Sequence, residues 1–486
     1  MNMIVMKFGG TSVEDAKAIQ RVGDIVLGRL AQRPVVVVSA MATVTDALLT
    51  MAQTAASGSL PEALKTLRQL RQRHLAVLRA VVGESGQAAV RDEIQTVLDP
   101  MPGMLRSVAA LGELSPRTSD GLLSIGELLS SRVVSAALQA RGVRVALVDS
   151  RHCIVTNAAH TRAVPLIEEC VEQLRQQLKP LLQTEQVPVM AGFIAATREG
   201  VTTTLGRGGS DFSAAIVGAA LNARRIEIWT DVEGMMTTDP RLCPQAQRIN
   251  LIGFDETSEL AYFGAKVLHP ATLIPAVEKR IPVHVLNSRK PSAKGTCIRA
   301  NAPAGRTPFR AIAAKQGIRV INVRSPRMLL AHGFLRALFE AFERHSCTAD
   351  LVSTSEVSVS VALDSSRDVS GLLGDLKKLG EVEIENGKAI ICLVGKNIRG
   401  RAGIAAKVFE TVAAAGINIH MISQGASEIN ISFVVEEQDV PESVKQLHHC
   451  FFETARTVTS VSPRQVGTDL GEAAFTRLSG ALPGVN

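Results

Sequence analysis

The chain has 486 residues, of which 46% are hydrophobic and 20% charged, and its formal net charge is +7. This composition allows large buried cores and argues against global disorder. One Trp, one Tyr and scattered basic residues argue against a nucleic-acid binder that stacks bases. No apolar run approaches the ~18 residues of a membrane span, and no signal-peptide pattern opens the chain. Seven cysteines without a CxxC pair indicate reduced thiols, which predicts a cytoplasmic protein.

Short apolar runs alternate with longer helical patterns over residues 1–299. Several of the runs are nearly continuous in Val and Ile, which is typical of strands buried on both faces. This βαβ rhythm predicts an α/β sandwich with a mostly parallel sheet, whose ligand site lies at the carboxyl ends of the strands. Strands are predicted at 4–8, 35–39, 143–148, 187–194, 225–230 and 283–286, and helices at 15–30, 60–82, 125–140 and 166–182.

The first of four glycine-bearing segments is MKFGGTSV, residues 6–13. Its glycines let backbone N–H groups approach an anion closely, and the helix that follows offers its positive end to a phosphate. Lys7 precedes the glycines, so the segment is not a Walker A motif. Two interpretations stay open at this point, a phosphate-binding loop or a strand-to-helix turn with an exposed lysine.

The second segment is TLGRGGSD, residues 204–211. Arg207 among three glycines is suited to bidentate binding of a carboxylate or a phosphate. A helix is predicted at 212–221, with Ser210 or Asp211 as its N-cap. The alternative is a capped turn that happens to hold an arginine.

The third and fourth segments are WTDVEGMMTTDPR, residues 229–241, and FGAKVLHP, residues 263–270. A predicted strand ends at Thr230, and Thr230 and Asp231 could hold a nucleotide sugar or base edge, while Arg241 could meet phosphates. Lys266 is a second lysine after a glycine. Two lysines that converge with a helix N-terminus would stabilise developing phosphate charge, which is the main requirement of phosphoryl transfer.

A change of composition after residue 299 indicates a second part of the chain. Residues 300–308 are rich in Ala, Pro and Gly, and we place a linker at 300–317. An internal repeat follows, in which Gly333 and Gly403 are 403 − 333 = 70 positions apart, as are Phe339 and Phe409. Each copy opens with a helical pattern and continues with strand-like alternation. Two α+β modules are predicted at 318–385 and 386–464, before a tail at 465–486.

KFGGTSV, TLGRGGSD, WTDVEGMMTTDPR and AKVLHP, in this order, closely resemble the aspartate kinases, and the paired modules resemble ACT domains. The resemblance runs from residue 3 to about residue 464. It implies an amino-acid-kinase three-layer sandwich followed by two ferredoxin-like ACT modules. It also implies transfer of the γ-phosphate of MgATP to the side-chain carboxylate of L-aspartate, the first step towards lysine, threonine and methionine, without a prosthetic group.

The resemblance assigns roles to residues at matching positions. Lys7 and Lys266 would act on the transferring phosphoryl group, and Asp211 would hold the lysines in place. Glu127, in SIGELLS, would pair with the substrate ammonium, although a solvated helix glutamate is the alternative. The implied ATP-binding residues are Lys7, Gly9, Gly10, Thr230, Asp231, Met236, Arg241, Lys266 and Val267, and the implied substrate-binding residues are Thr45, Glu127, Arg207, Gly208, Gly209 and Ser210.

Two positions depart from the family pattern near the predicted site. Met236 stands where a tyrosine is frequent, so the nucleotide contact there lacks a hydroxyl. Thr43, in SAMATVTD, stands where a glycine is common, which predicts a different conformation of that loop. No metal site is predicted beyond the Mg²⁺ carried by ATP, because the cluster His448-His449-Cys450 lacks a second ligand pair with metal-site spacing.

The first module resembles that of the lysine-sensitive enzymes, with Ala331 and Ala349 as departures. Lysine is the first choice of effector, threonine the second, and a module that only dimerises is the alternative. Dimers or higher homo-oligomers through the ACT modules are expected. A kinase acting on glutamate or acetylglutamate and a degenerate kinase that senses amino acids are the competing functions. The implied effector-site residues are Met328, Phe334, Leu335, Asp350, Ser355, Glu356 and Val357.

Overall fold

The computed structural model describes residues 3–83, 86–264, 268, 270–303, 305, 307–328, 332–398, 400–425 and 429–454. Lys266 and Val267, two of the predicted ATP contacts, lie outside these residues, as do Ala331 and the predicted tail. The strands are β1 (Ile4–Phe8), β2 (Pro34–Val38), β3 (Val145–Val148), β4 (Val155–Thr156), β5 (Val187–Ala191), β6 (Ile194–Thr197), β7 (Thr202–Thr204), β8 (Arg225–Thr230), β9 (Leu251–Gly253), β10 (Val283–Asn287), β11 (Thr296–Arg299), β12 (Phe309–Arg324), β13 (Leu351–Thr354), β14 (Ser358–Asp364), β15 (Glu381–Gly395), β16 (Met421–Ser423) and β17 (Asn430–Glu436).

The helices of the same residues follow the predicted pattern closely where periodicity is strong, since the helices expected at 60–82 and 125–140 form with ends shifted by one residue. They are α1 (Ala16–Leu27), α2 (Val44–Ala56), α3 (Leu60–Val81), α4 (Gln87–Leu98), α5 (Met101–Leu111), α6 (Pro116–Leu123), α7 (Ile125–Gln139), α8 (Ile167–Gln183), α9 (Gly209–Leu221), α10 (Phe254–Tyr262), α11 (Ile274–Glu278), α12 (Phe334–Arg344), α13 (Ser370–Leu379), α14 (Ile404–Ala414) and α15 (Val440–His448).

An eight-stranded sheet organises the first part of the chain, in the order β3-β5-β2-β1-β8-β10-β11-β9. All neighbours are parallel except β10 and β11. Successive side chains of β1 enter two different apolar cores, with Val5 in the core that holds α8 and α9 and Ile4 in the core that holds α1 to α3. The predicted α/β sandwich is confirmed, and the carboxyl ends of β1, β2, β8 and β10 meet at one edge of the sheet.

One predicted strand is wrong, because residues 187–194 form two strands rather than one. β5 ends at Ala191 and stays in the large sheet, whereas β6 joins a three-stranded sheet of order β4-β6-β7. Between them Phe193 has a φ of 66°, a left-handed conformation that breaks an extended strand. At Gly192 a Cβ atom would lie 2.7 Å from Cβ of Ser210, so the break lets the start of α9 pack closely against the sheet.

A six-stranded antiparallel sheet forms the second part of the chain, in the order β13-β14-β12-β15-β17-β16. The long strands β12 and β15 each cross from one module to the other. Gly317 (φ 69°) and Gly387 (φ 68°), which are 387 − 317 = 70 residues apart, mark the crossings. A separate apolar core lies on each side, which supports the interpretation of the repeat as two modules.

The predicted linker at 300–317 is wrong over its second half. Residues 309–315 are a strand that pairs with 390–395, so they supply an edge of the second module, while 318–324 pairs within the first. The Ala- and Pro-rich composition ends at Pro308. The linker prediction continued to residue 317 because the strand-like residues from Phe309 onwards were counted as part of the linker. The second module is therefore assembled from two distant stretches of the chain.

Helices α6 and α7 run through the interior of the first part. Residues 116–139 are long and apolar enough to cross a membrane, but 83% of their most apolar window is buried inside the fold, as in a core helix. One acidic side chain, Glu127, lies in the first turn of α7 and is directed towards the carboxyl edge of the sheet, beside Ala40 and Lys7.

Candidate active site

Lys7 lies at the carboxyl edge of the sheet and forms a partly buried ion pair. Its Nζ is 2.7 Å from Oδ1 of Asp211, and the two side chains are 11% and 12% exposed. The alternative of a turn with an exposed lysine is therefore wrong. A buried charge pair of this kind is retained where a cation must be held in one position.

Asp211 reaches Lys7 because α9 begins earlier than predicted. Gly208 (φ 73°) is the N-cap, so Ser210 and Asp211 lie within the first turn. The predicted capping role of these two residues is wrong, since the left-handed glycine ends the loop before them. The carboxylate of Asp211 is consequently free of the backbone and available to the lysine.

The two glycines after Lys7 keep the loop close to its neighbours. Gly9 N donates to Trp229 O at 2.9 Å, and a Cβ atom at Gly9 would lie 3.7 Å from Nζ of Lys7. A Cβ atom at Gly10 would lie 3.0 Å from Ala40 O. A side chain at Gly10 would therefore press on the neighbouring loop, whereas Gly9 keeps the backbone beside the lysine open, which agrees with a backbone that must approach a ligand.

Glu127 is buried, with 3% of its surface exposed, so the alternative of a solvated helix glutamate is wrong. Burial raises the pKa of its carboxyl to about 8, although the backbone N–H groups of Ala40 and Glu127 and the charge of Lys7 act in the opposite direction. Within the described residues, Oε2 of Glu127 has no hydrogen-bond partner. A buried acceptor without a partner is costly, and a cationic ligand group would satisfy it.

Arg207 lies on the rim of a cavity of about 880 Å³ that also contacts Gly208 and Asp211. The arginine is exposed, as a residue that waits for a ligand can be, while Gly209 and Ser210 are buried behind it. The opposite wall of this cavity comes from the second part of the chain, through Asp350, Ser423, Asn430 and Ser432. Thr45 is half-buried in the first turn of α2.

A second cavity, of about 610 Å³, gathers the residues predicted to bind nucleotide. Thr230, Asp231, Met236 and Arg241 line it, and its far wall is formed by residues 311–314 of β12. The Arg241 side chain is 88% exposed and pairs with Asp239, another lining residue, at 2.6 Å. The apolar wall and polar rim fit a purine with its sugar and phosphates.

Three residues that the sequence analysis did not select connect the loop after β1 with the loop after β8. They are Ser12, Asn287 and Ser288. Ser12 Oγ donates to Ser288 Oγ at 2.8 Å, and Ser288 N donates to Thr230 O at 2.8 Å. Asn287 Nδ2 donates to Asp231 O at 3.2 Å. Asn287 and Ser288 follow the predicted strand at 283–286, and that position after a parallel strand was the one available signal.

Asp120 holds the start of the loop that carries Arg207, and the sequence analysis did not select this aspartate either. It is fully buried and accepts hydrogen bonds from Thr161 N at 3.0 Å and Thr204 Oγ1 at 2.5 Å, with His160 Nδ1 at 2.7 Å. Thr204 immediately precedes the loop that carries Arg207. A buried carboxylate with this many partners fixes the loop's origin, but no local pattern in the sequence distinguishes it from a solvated aspartate.

Thr43 adopts a left-handed conformation, with a φ of 68°, at the N-terminus of α2. Such a conformation costs a residue with a side chain about 1–2 kcal/mol relative to glycine. Arg73 on α3 holds it there by donating to Ala42 O at 2.9 Å, Thr43 Oγ1 at 3.1 Å and Glu14 O at 3.1 Å. The arginine thus joins the loop before Thr45 to the loop after Lys7, and it compensates for the missing glycine.

We expect Arg73→Met to raise the KM for the substrate that Thr45 is predicted to contact several-fold, because two neighbouring loops lose three hydrogen bonds from one charged donor. Adding Thr43→Gly to this variant should recover part of the loss, since glycine takes the positive φ without strain. Initial-rate kinetics measure both effects, and Arg71→Met, on the exposed face of α3, is the matched control. An equal loss in the control, or no recovery by glycine, would contradict this role.

The predicted effector residues fall into two places in the single chain. Met328, Phe334, Ser355, Glu356 and Val357 belong to the first module, where Ser355 and Glu356 occupy the exposed turn between β13 and β14, and Leu335 is 41% exposed. Asp350 lies before the other end of β13, where its carboxylate is 2.6 Å from Nζ of Lys315. A ligand within one chain therefore does not meet Asp350 and Glu356 at the same end of the strand.

Comparisons with known proteins identify the family of the chain. Residues 2–287 match the model of the amino acid kinase family, and residues 391–451 match that of the ACT domain. The chain is 40% identical over 459 residues to lysine-sensitive aspartokinase 3 of Escherichia coli, which covers 93% of this chain and 99% of that protein. It is 35% identical over 466 residues to chloroplastic aspartokinase 2 of Arabidopsis thaliana, covering 93% and 84% respectively.

Solved structures give the same result. The structure of E. coli aspartokinase III in complex with aspartate and ADP, in the R-state, superposes with a TM-score of 0.80 at 38% identity and covers 93% of this chain and 100% of that one. The complex of that enzyme with lysine and aspartate, in the T-state, has a TM-score of 0.79 at the same identity and coverage. The identity and coverage of these relatives, together with the shared fold, show that the chain belongs to the aspartokinase family.

Proposed function

We propose that this chain phosphorylates the side-chain carboxylate of L-aspartate at the edge of the sheet where Lys7, Asp211 and Glu127 meet. The observation that carries the proposal is a buried Lys7–Asp211 ion pair beside a buried glutamate whose Oε2 has no hydrogen-bond partner among the described residues. A lysine fixed in this way offers a cation to a phosphoryl group, and the glutamate offers a carboxylate to an ammonium. One site thus has complementary groups for both substrates.

Recognition of aspartate follows from its three charged groups. Glu127 pairs with the ammonium, and Arg207 with the α-carboxylate, assisted by Gly208, Gly209, Ser210 and Thr45. These contacts leave the side-chain carboxylate as the free nucleophile. A carboxylate is already ionised at pH 7, so the reaction needs no general base, and positioning and charge neutralisation carry the catalysis.

ATP occupies the 610 Å³ cavity in this proposal, with its phosphates directed towards Lys7, Gly9 and Gly10. Thr230, Asp231 and Met236 contact the nucleoside, Arg241 contacts the phosphates, and Lys266 with Val267 completes the set. Mg²⁺ enters with ATP and screens the negative charge of the phosphates. The cationic side chains of the protein screen what remains as the carboxylate approaches the γ-phosphate.

A direct test is aspartate-dependent release of ADP, followed with a coupled assay under saturating ATP. We expect activity with L-aspartate and at most about 1% of it with L-glutamate or N-acetylglutamate. Glu127 and Arg207 hold the end of the substrate that does not react, so a longer side chain places its carboxylate wrongly for the phosphoryl group. Glutamate activity equal to that with aspartate would favour the related kinases. A folded protein without activity on any of them would favour the amino-acid sensor.

Feedback control by lysine is the second part of the proposal. The first module, residues 318–385, carries the effector residues, and the strand at 309–315 joins the second module, which is predicted at 386–464. Glu356 supplies an exposed carboxylate for a cationic effector, and threonine is the alternative ligand. The E. coli enzyme whose structure contains lysine covers this region of the chain, which supports lysine over threonine.

We expect Glu356→Ala to raise the lysine concentration for half-inhibition about twofold to fivefold, since one exposed ion pair is lost. Turnover without lysine should not change, because Glu356 lies outside the catalytic half. Inhibition curves at fixed aspartate and ATP measure the shift, with Glu343→Ala on α12 as the control. An unaltered curve for lysine would place its site elsewhere, and inhibition by threonine alone would replace lysine as the effector.

Association and location complete the proposal. Leu335 and Phe339 lie one turn apart on α12 and are 41% and 39% exposed, which provides an apolar contact for a second copy of the first module. Light scattering should therefore give at least twice the mass of one chain. The seven cysteines are free thiols in the structure, in agreement with a reducing compartment such as the cytoplasm.

A further inference from the structure

The loop of residues 231–243, called the nucleotide loop below, lines the nucleotide cavity and is anchored in the second module. Cys243, at the end of this loop, is completely buried in that module's apolar core together with Phe309, Leu447 and Phe451, and Leu242 packs against the same core. Leu242 also lines the cavity. The position of the nucleotide loop therefore depends on a domain that contains none of the reacting groups.

A buried chain of hydrogen bonds extends the same connection. Thr237 Oγ1 is 2.9 Å from Nε2 of His448 at the end of α15, and Nδ1 of His448 is 2.8 Å from Oε1 of Glu453. A carboxylate can only accept, so in the neutral ring Nδ1 donates to Glu453 and Nε2 accepts from the threonine hydroxyl. His448 is completely buried and stacks on Phe452, with 5.0 Å between the ring centroids, so it has little freedom to turn away.

Every polar group of Thr237 is engaged. Its hydroxyl oxygen also accepts from Gln247 N at 2.8 Å, its N–H donates to Gln247 O at 2.8 Å, and its carbonyl accepts from Ile312 N at 2.7 Å. The residues on either side, Met236 and Thr238, line the nucleotide cavity. Movement of Thr237 would therefore displace two cavity residues. Thr237 itself is held by β12 and α15 of the second module.

From these contacts we propose that His448 is a positioning residue for ATP binding, which acts through Thr237 on the nucleotide loop. The inference rests on the proposed nucleotide site. Cys243, His448 and Glu453 also bring one ligand atom each within 4.8 Å, a spacing that a metal ion could use. Both ring nitrogens of His448 already have hydrogen-bond partners, so the geometry favours the positioning role.

The test compares variants of Thr237 with a variant of His448, all in the full-length protein. Thr237→Val keeps the volume and removes the hydroxyl, and it should raise the KM for ATP about tenfold, because a buried imidazole nitrogen loses its partner. Turnover and the KM for aspartate should stay within about twofold of wild type. Thr237→Ser keeps the hydroxyl and should restore the KM for ATP. Ser443→Ala, at a buried hydroxyl on α15 that has no hydrogen-bond partner among the described residues, is the matched control.

His448→Phe keeps a stacked ring without nitrogens and supplies the second arm. The double variant Thr237→Val/His448→Phe should be no worse in its KM for ATP than the more affected single variant, since both remove one interaction. Additive effects would overturn the inference. So would a folded Thr237→Val protein whose KM for ATP is unchanged, or whose turnover and KM for aspartate shift equally.

Asp231→Ala separates this inference from the proposed nucleotide site itself. If Asp231→Ala raises the KM for ATP and Thr237→Val does not, the site stands and the positioning role of His448 is wrong. If neither variant changes the KM for ATP, the nucleotide site lies elsewhere and the inference falls with it.

Discussion

Replacement of Lys7 by methionine is expected to lower kcat about 100- to 1,000-fold, the effect of removing one preorganised donor of transition-state charge. Lys7 is a cation at the carboxyl edge of the sheet, and its Nζ lies 2.7 Å from the carboxylate of Asp211. Methionine nearly preserves the length and volume of the side chain but cannot neutralise the phosphoryl group. The KM for aspartate should change much less than kcat, because Glu127 and Arg207 are proposed to bind it.

Folding must be controlled in this experiment, because methionine leaves Asp211 buried without its partner, which is strongly destabilising in many proteins. Lys7→Met/Asp211→Asn removes both charges and should recover stability without recovering turnover. Lys65→Met, at a lysine that is 59% exposed on α3, controls for the loss of a surface charge. Turnover close to wild type in a folded Lys7→Met protein would exclude Lys7 from the phosphoryl-transfer site.

The second large effect is expected for Glu127→Gln, which should raise the KM for aspartate about 100-fold. An amide cannot neutralise the ammonium, and truncating one member of a desolvated charge pair costs about 2–5 kcal/mol. The amide has nearly the shape of the carboxylate, so kcat at saturating aspartate should fall less than its KM rises. Glu93→Gln, at a glutamate whose side chain is 51% exposed on α4, is the matched control. A KM for aspartate within about twofold of wild type would contradict the assigned contact.

The pKa of Glu127 adds a pH dependence to the same variant. With a pKa of about 8 the carboxyl is largely protonated at neutral pH in the ligand-free protein, whereas pairing with the ammonium requires the ionised form. The KM for aspartate should therefore fall as the pH rises from about 6.5 to about 8.5, and this slope should vanish in Glu127→Gln. A slope of the same size in the variant would assign the titration to another group.

Stability should show the complementary trend. The folded-state pKa of about 8 exceeds the ordinary glutamate value of 4.5, so the folded protein binds this proton more tightly than the unfolded chain. The resulting stabilisation is fully present below about pH 4.5 and is lost as the pH rises through about 8. Glu127→Gln is consequently expected to raise the melting temperature relative to wild type more at alkaline than at acidic pH. The site thus exchanges stability for recognition of its substrate.

Features with a local cause were predictable from the sequence. The strand before Lys7, the glycine-bearing loops and the long helices follow from apolar periodicity and turn residues, which act over a few positions. The same signals placed Thr230 and Asp231 after a strand, where parallel sheets carry their ligands. The 70-residue repeat likewise indicated the two modules, since each copy repeats its own periodicity.

Features that depend on distant residues were not predictable in this way. The ion pair joins Lys7 to Asp211 across 204 positions (211 − 7). The family resemblance assigned Asp211 to the lysines, whereas the capping prediction, which rests on local pattern, assigned it to the backbone. Glu127 reads as a solvated glutamate because its burial is caused by neighbouring elements. The strand at 309–315 looked like part of a linker because its partners lie at 390–395. Such contacts leave no periodic trace near either residue.

Trapping of the reaction product with hydroxylamine tests the central claim most directly. An acyl phosphate reacts with hydroxylamine to give a stable hydroxamate, whose position identifies the carboxylate that received the phosphoryl group. With ATP, Mg²⁺ and L-aspartate we predict the side-chain hydroxamate from wild type, and a strongly reduced yield from Lys7→Met. No hydroxamate from the folded wild-type protein, or a hydroxamate at the α-carboxylate, would contradict phosphorylation of the aspartate side chain at this site.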